Sequence, residues 1–200
     1  MKNSLIILGF FVIGIVVGKL KFLPYIMLNN DMSVYALYFL LFFIGIVIGM
    51  DKKSFELIRK SSITLFLIPF GVIIGSLLGG ALTSLIIKSL SIKQGMAISA
   101  GLGYYSLSSI LIAEICNKTL GVLALLSNIF RELITLTLTP IFVRLFGPLS
   151  PIASAGATAM DTTLPIITKF SGKEYAILAI FSGLTLTILI PFIVSLFCYL

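Results

Sequence analysis

Long apolar runs alternate with short polar breaks along this chain. Windows of about 20 apolar residues, enough for a helix to cross a bilayer, fall at roughly 4–22, 33–50, 62–87, 119–143 and 174–199. Two further segments, roughly 95–115 and 150–168, are less apolar. They are rich in Gly, Ala, Ser and Thr, and each carries a carboxylate, Glu114 or Asp161. The pattern predicts an all-α polytopic membrane protein with one transmembrane domain over residues 1–200 and no soluble domain. It has five firm transmembrane helices plus two broken or re-entrant segments.

Composition agrees. The chain is 59% hydrophobic and 10% charged, where a soluble domain carries about 25% charged residues. The net charge of +7 does not point to nucleic acid, because basic residues in such a protein set its orientation in the bilayer. The loop "DKKSFELIRK" (51–60) holds Lys52, Lys53, Arg59 and Lys60, so the positive-inside rule makes it cytoplasmic. Asp51 opens this loop and is read as a solvated or capping residue. The N-terminus then lies inside and the C-terminus outside, whether the two weaker segments cross or turn back. Only Lys118 and Arg144 exchange sides between those readings. A cleaved signal peptide fits less well, since no small-x-small site leads from the first run into a soluble region.

There is no histidine, which removes HExxH zinc chemistry and Ser-His nucleophiles. Cys116 and Cys198 have no metal-ligand spacing and are read as packing residues. Neither a metal nor a cofactor is expected. Gly71, Gly75 and Gly79 form a small-residue stripe suited to close helix contact, and Pro69 is expected to kink that span.

The two weaker segments resemble each other. "GLGYYSLSSILI" (101–112) and "AGATAMDTTLPI" (155–166) both begin with small residues. Both continue to paired hydroxyls, Ser108-Ser109 and Thr162-Thr163, and then turn apolar again. Their offset is 54 residues, a weak internal similarity. Gly101, Gly103, Gly156 and Pro165 favour unwound backbone, which a membrane tolerates only inside protein or beside water. Paired interrupted segments of this kind form transport sites near the midplane. The plainer alternative is two packing helices rich in small residues. Asp161 would then stand beside free backbone groups and the hydroxyls of Thr162 and Thr163, company suited to a proton, Na⁺ or an ammonium group. Glu114 ends the first segment, where it either reaches water or takes part in transport.

The stretch "NIFRELI" (128–134) puts Arg131 and Glu132 at the middle of an apolar run. At 100° per residue, Asn128, Arg131, Glu132, Thr135 and Thr139 share an arc of about 100°, with Gly121 and Ala124 on the same side. A charge at a helix centre costs about 2.5–3.5 kcal/mol on insertion scales. Both charges therefore need partners across the bundle or a wet cavity. Their sequence neighbourhood does not require them to pair with each other.

"GLGYYSLSSIL", "NIFRELI" and "GATAMDTTLPI", with a weaker match at "FFIGIVIG" (42–49), resemble the bacterial lysine exporter family of the LysO type. The resemblance covers roughly 35–195. It implies an inner-membrane exporter of L-lysine, or a similar cationic amino acid, and of toxic lysine analogues. It singles out Glu132 as a transport carboxylate, with Arg131 beside it and Asp161 in the signature loop. It further implies a distant likeness to cation/proton antiporters and bile-acid-type transporters, whose sites lie at crossed, broken helices. Longer members carry additional N-terminal spans with another acidic residue. A small separate membrane protein or a second copy of the chain is the expected substitute for them.

No GxxxxGK[ST] phosphate loop is present, so export against the membrane potential would be coupled to inward H⁺ or Na⁺. Tyr104, Tyr105, Ser106, Ser108 and Asn128 would supply neutral hydrogen bonds to the substrate. The competing class is a channel-like or scaffold subunit whose charges only fix helix packing. An intramembrane aspartyl protease using Asp51 and Asp161 fits poorly, because its carboxylates must share a proton and these two differ in depth.

Overall fold

A computed structural model describes residues 63–87 and 89–199, and of the first 62 only Gly9, Ile13, Gly14, 16–20, Tyr35, Phe39, Phe42 and Ile46. The expected spans 4–22 and 33–50, the loop 51–60 with Asp51, and Lys88 lie wholly or largely outside the described residues.

The described elements are helical. They are α1 (Ile63–Ile86), α2 (Ile92–Ser99), α3 (Tyr105–Ile115), α4 (Lys118–Phe146), α5 (Ser150–Ala155), a 3₁₀ turn (Gly156–Met160), α6 (Leu164–Phe170), a second 3₁₀ turn (Lys173–Tyr175) and α7 (Ala176–Tyr199). Three stretches among them are long and apolar enough to cross a membrane: Leu65–Ile86, Lys118–Phe146 and Lys173–Tyr199. They agree with the third, fourth and fifth expected spans to within a few residues. Pro69 lies inside α1, which continues through it.

Contacts fix the directions of these three helices. Arg131 of α4 meets Ser76 of α1, while one cavity wall brings Thr83 and Ile87 together with Leu123 and Ser127. Thus α1 and α4 run antiparallel. Cys198, near the end of α7, is joined by a disulfide to Cys116, just before α4 begins, with Cα atoms 5.3 Å apart. Leu178 and Ala179, near the start of α7, share an apolar cluster with Ile68 near the start of α1. Hence α7 runs parallel to α1. The disulfide corrects the reading of the two cysteines as mere packing residues. They are 82 residues apart in sequence, so only the antiparallel return of α4 and α7 brings them together.

The weaker segments turn back rather than cross. The first leaves the end of α1 through a short turn and finishes at Cys116, so both its feet stand at the disulfide end. The second leaves the end of α4 and leads into the start of α7, so both its feet stand at the opposite end. Helix lengths agree: at 1.5 Å per residue, the 8 residues of α2 and 11 of α3 span only about 12 and 16 Å of a ~30 Å hydrocarbon layer. Local chemistry sets the arms. Ser91 and Gln94 form a capping box at the start of α2. Asn117 caps α4 by accepting the Leu120 N–H at 2.9 Å. Pro151 and Pro165 sit in the first turns of α5 and α6, where their missing N–H groups are no loss. Pro165 therefore follows an unwound stretch, as its position in the sequence implied.

The two hairpin tips meet. Leu102 accepts the Ala157 N–H at 2.8 Å. Gly103 and Gly156 have φ of 97° and 65°, and Leu102 itself is left-handed at φ 46°. Leu102 and Gly156 thus use the same backbone device at the 54-residue offset seen in the sequence. A Cβ on Gly103 would lie 2.5 Å from the Ala155 carbonyl oxygen, and one on Gly156 would run into that of Leu102. α1 packs on α2 through Gly80 and Gly95, not through the predicted stripe. Gly71, Gly75 and Gly79 have open space beside them among the described residues.

Gly147 also has positive φ, 86°, but nothing within 4 Å of a Cβ. Gly147→Ala should cost only backbone strain, about 1–3 kcal/mol. Gly156→Ala should lower the thermal unfolding midpoint of the purified protein further, because it also separates the tips. Equal midpoints would show that the tip contact does not hold the fold.

Candidate functional site

The predicted polar arc of α4 is its buried face: Gly121, Ala124, Asn128, Glu132, Thr135 and Thr139 are all buried. Asn128 joins this helix to the first tip. Its Oδ1 accepts the Gly103 N–H at 2.8 Å and its Nδ2 donates to the Ala124 carbonyl at 2.8 Å. Gly101 is packed against the Asn128 and Ser108 side chains, so any larger residue there would displace them. Ser108 is fully buried and donates back to the Tyr104 carbonyl at 2.8 Å. Tyr105 is buried in the same arm, while Tyr104 and Ser106 are half-buried.

Arg131 joins α4 to the second hairpin. Its Nε donates to the Ser154 carbonyl at 2.7 Å, one Nη to the Ala153 carbonyl at 3.0 Å and the other to Ser76 Oγ at 3.0 Å. Those carbonyls close α5, so the guanidinium supplies donors and positive charge at that helix's C-terminal end. Thr135 and Ser154 share a hydroxyl bond of 2.6 Å one turn away. Among the described residues, Arg131 therefore meets carbonyls and a hydroxyl rather than a carboxylate. Ser76 and Ser154 were missed by the sequence reading. Both are hydroxyls within otherwise apolar or small-residue runs, the signal that could have exposed them.

Glu132, 1% exposed, points elsewhere because consecutive helical residues diverge by 100°. Asp161 ends the 3₁₀ turn and accepts the Thr162 N–H. It lies within electrostatic reach of Glu132 and of the Tyr104 phenol. Asp161 is thus coupled by charge both to Glu132 of α4 and to Tyr104 of the first arm. Asp161 has an exposed face among the described residues, and Thr162 is half-buried beside it. Thr163 is buried and donates to the Thr158 carbonyl at 2.9 Å, bracing the turn from within. Glu114 stands apart: it is exposed, near the disulfide end of α3. Pro165 is exposed on α6. Ser182 of α7 is fully buried, and its neighbour Gly183 packs directly against Ala157 and Met160 of the second tip. No cluster of three or more metal-ligating side chains occurs among the described residues.

Helical spans, two interrupted hairpins and a buried carboxylate on the helix that holds their tips are features of membrane transporters. The family model for the lysine exporter LysO matches residues 8–198, and the chain belongs to that family. It is 34% identical over 198 residues to the lysine exporter LysO of Escherichia coli, covering 98% of this chain and 64% of that protein. It is also 34% identical over 188 residues to a putative lysine exporter of Haemophilus influenzae, covering 93% of each. The chain thus spans under two thirds of the first relative and nearly all of the second. No solved structure matches it.

Asn128→Ala would leave the buried Gly103 N–H without its acceptor, at a cost of about 1–3 kcal/mol. Thr137→Ala, on the exposed face of α4, should stay within about 0.5 kcal/mol of the parent. Thermal denaturation of the two variants side by side checks this. Equal stability would remove Asn128 as the tether of the first tip.

Proposed function

We propose that the protein is a secondary exporter of L-lysine or a similar cationic amino acid, and of toxic lysine analogues, across the bacterial inner membrane. Efflux is coupled to inward H⁺ or Na⁺. The observation that carries this reading is the gathering of Glu132 and Asp161, with Tyr104, at the meeting point of two hairpins that enter from opposite ends. Two carboxylates near the centre of the bundle can hold a cationic substrate on one half-cycle and the coupling cation on the other. Movement of the tips against α4 and α7 then exposes them to alternate sides. The membrane potential opposes the exit of a cation by about 2.3 kcal/mol per charge per 100 mV, which is why a coupling ion is required. The names of the two relatives support lysine as the substrate.

The likeness to cation/proton antiporters and bile-acid-type transporters enters this proposal in one respect: a central site where interrupted segments meet. In those carriers broken helices cross, whereas each hairpin here returns to its own end.

In proteoliposomes carrying a pH or Na⁺ gradient, Glu132→Gln should lower gradient-driven efflux of labelled lysine at least tenfold. Efflux equal to the parent would sink the assigned role. Efflux that ignores both gradients would favour a channel-like subunit.

The proposal also sets the orientation. Disulfides persist on the oxidising side of a bacterial membrane, and the charge pattern independently supports an outside C-terminus. The disulfide end therefore faces outward. In intact cells treated with a membrane-impermeant reductant, an impermeant maleimide should label Cys116 and Cys198. Labelling only after the cells are opened would reverse the orientation.

A further inference from the structure

A cavity of about 330 Å³ lies between α1, α2 and the first half of α4. Its polar lining includes Ser76, Thr83, Ser99, Ser127, Asn128 and Arg131, and among the described residues no carboxylate lines it. Arg131 has five N–H donors, of which three are engaged by Ser154, Ala153 and Ser76. Among the described residues, one N–H on each terminal nitrogen has no hydrogen-bond partner. Asn128 likewise gives one Nδ2 proton to the Ala124 carbonyl and keeps a second. A wall with a cation, spare donors and hydroxyls, and with no negative side chain, selects an anionic group.

Adjacent to this wall, on the next residue of the same helix, stands the acidic cluster of Glu132 and Asp161. The two environments diverge from α4 by the 100° between consecutive residues. An amino acid with a cationic side chain needs such a pair of opposite environments: one for its α-carboxylate, one for its distal ammonium.

We propose that this cavity is the subsite for the substrate's α-carboxylate, held by the free N–H groups of Arg131 with Asn128 and the wall hydroxyls. This rests on the exporter reading above and adds what that reading lacks, a reason for an arginine in the path of a cation. Charge-assisted bonds to a guanidinium are strong and directional, so a diamine that lacks the carboxylate loses them outright. Arg131 then has two duties: two donors hold the second hairpin and one holds Ser76 of α1, while the remainder are offered to the ligand.

The test is competition against labelled lysine exchange in proteoliposomes. Lysine and 6-aminohexanoate, which keep the carboxylate and the distal ammonium, should compete. 1,5-Diaminopentane and lysine amide should be weaker by about tenfold or more, as expected for loss of a charged hydrogen-bonded pair. Arg131→Lys should shrink that ratio. Ser127→Leu, which fills the cavity while leaving Arg131 and its three bonds in place, should raise the lysine concentration for half-maximal exchange and also shrink the ratio. It carries the test if the arginine variant does not fold. Diaminopentane competing as well as lysine in the parent protein, with lysine exchange intact, overturns the subsite and leaves the exporter reading standing. No lysine exchange in the parent removes the exporter reading and the subsite with it.

Discussion

Backbone N–H and C=O groups buried in hydrocarbon must find partners inside the protein, at several kcal/mol for each that does not. Two helical hairpins that stop halfway through a bundle expose many such groups at their turns. This molecule meets the requirement by setting one turn against the other and both against α4. The Ala157 N–H goes to Leu102, the Gly103 N–H to Asn128, and the last carbonyls of α5 to Arg131. Three residues on two consecutive turns of one helix thus hold both tips: Asn128 the first, Arg131 and Thr135 the second. The glycines at the contact are there because two backbones approach closely enough to leave no room for a Cβ.

The same constraint explains why charges stand in an apolar helix. Arg131 satisfies helix-end carbonyls that no side chain of the second hairpin reaches. Glu132 then occupies a site whose location is fixed by its neighbour's anchoring. Under the proposed function, structure and transport are therefore not separable at this pair. The donors that position the hairpin and the carboxylate assigned to the cation lie on adjacent residues of a single turn.

Much of this was legible in the letters. The third, fourth and fifth spans are set by runs of Leu, Ile, Val and Phe, and a 3.6-residue period identified the buried face of α4. Gly, Ser, Thr and Pro marked both interrupted segments. The direction of those segments was not legible, because charge placement is equally compatible with crossing and returning. Only contacts distant in sequence distinguish the two: Thr83 and Ile87 with Leu123 and Ser127 around one cavity, and Cys116 on Cys198. The partners of Arg131 were hidden for a related reason. Two of the three are backbone carbonyls, and every residue has one, so no residue type announces them. The cysteine pair was hidden by its separation of 82 residues.

Hairpins that enter from opposite ends and meet at their tips also shape the electric field. The cavity brings polar space inward as far as Arg131, near the middle of α4. Where water fills that space, the insulating layer along that line is thinner than the ~30 Å of the surrounding hydrocarbon, and the transmembrane voltage falls over a shorter distance. In the proposed export, a cation passing Glu132 would then meet much of the potential over a short distance rather than across the whole bilayer. For the proposed exporter, the tips would be where voltage acts most directly.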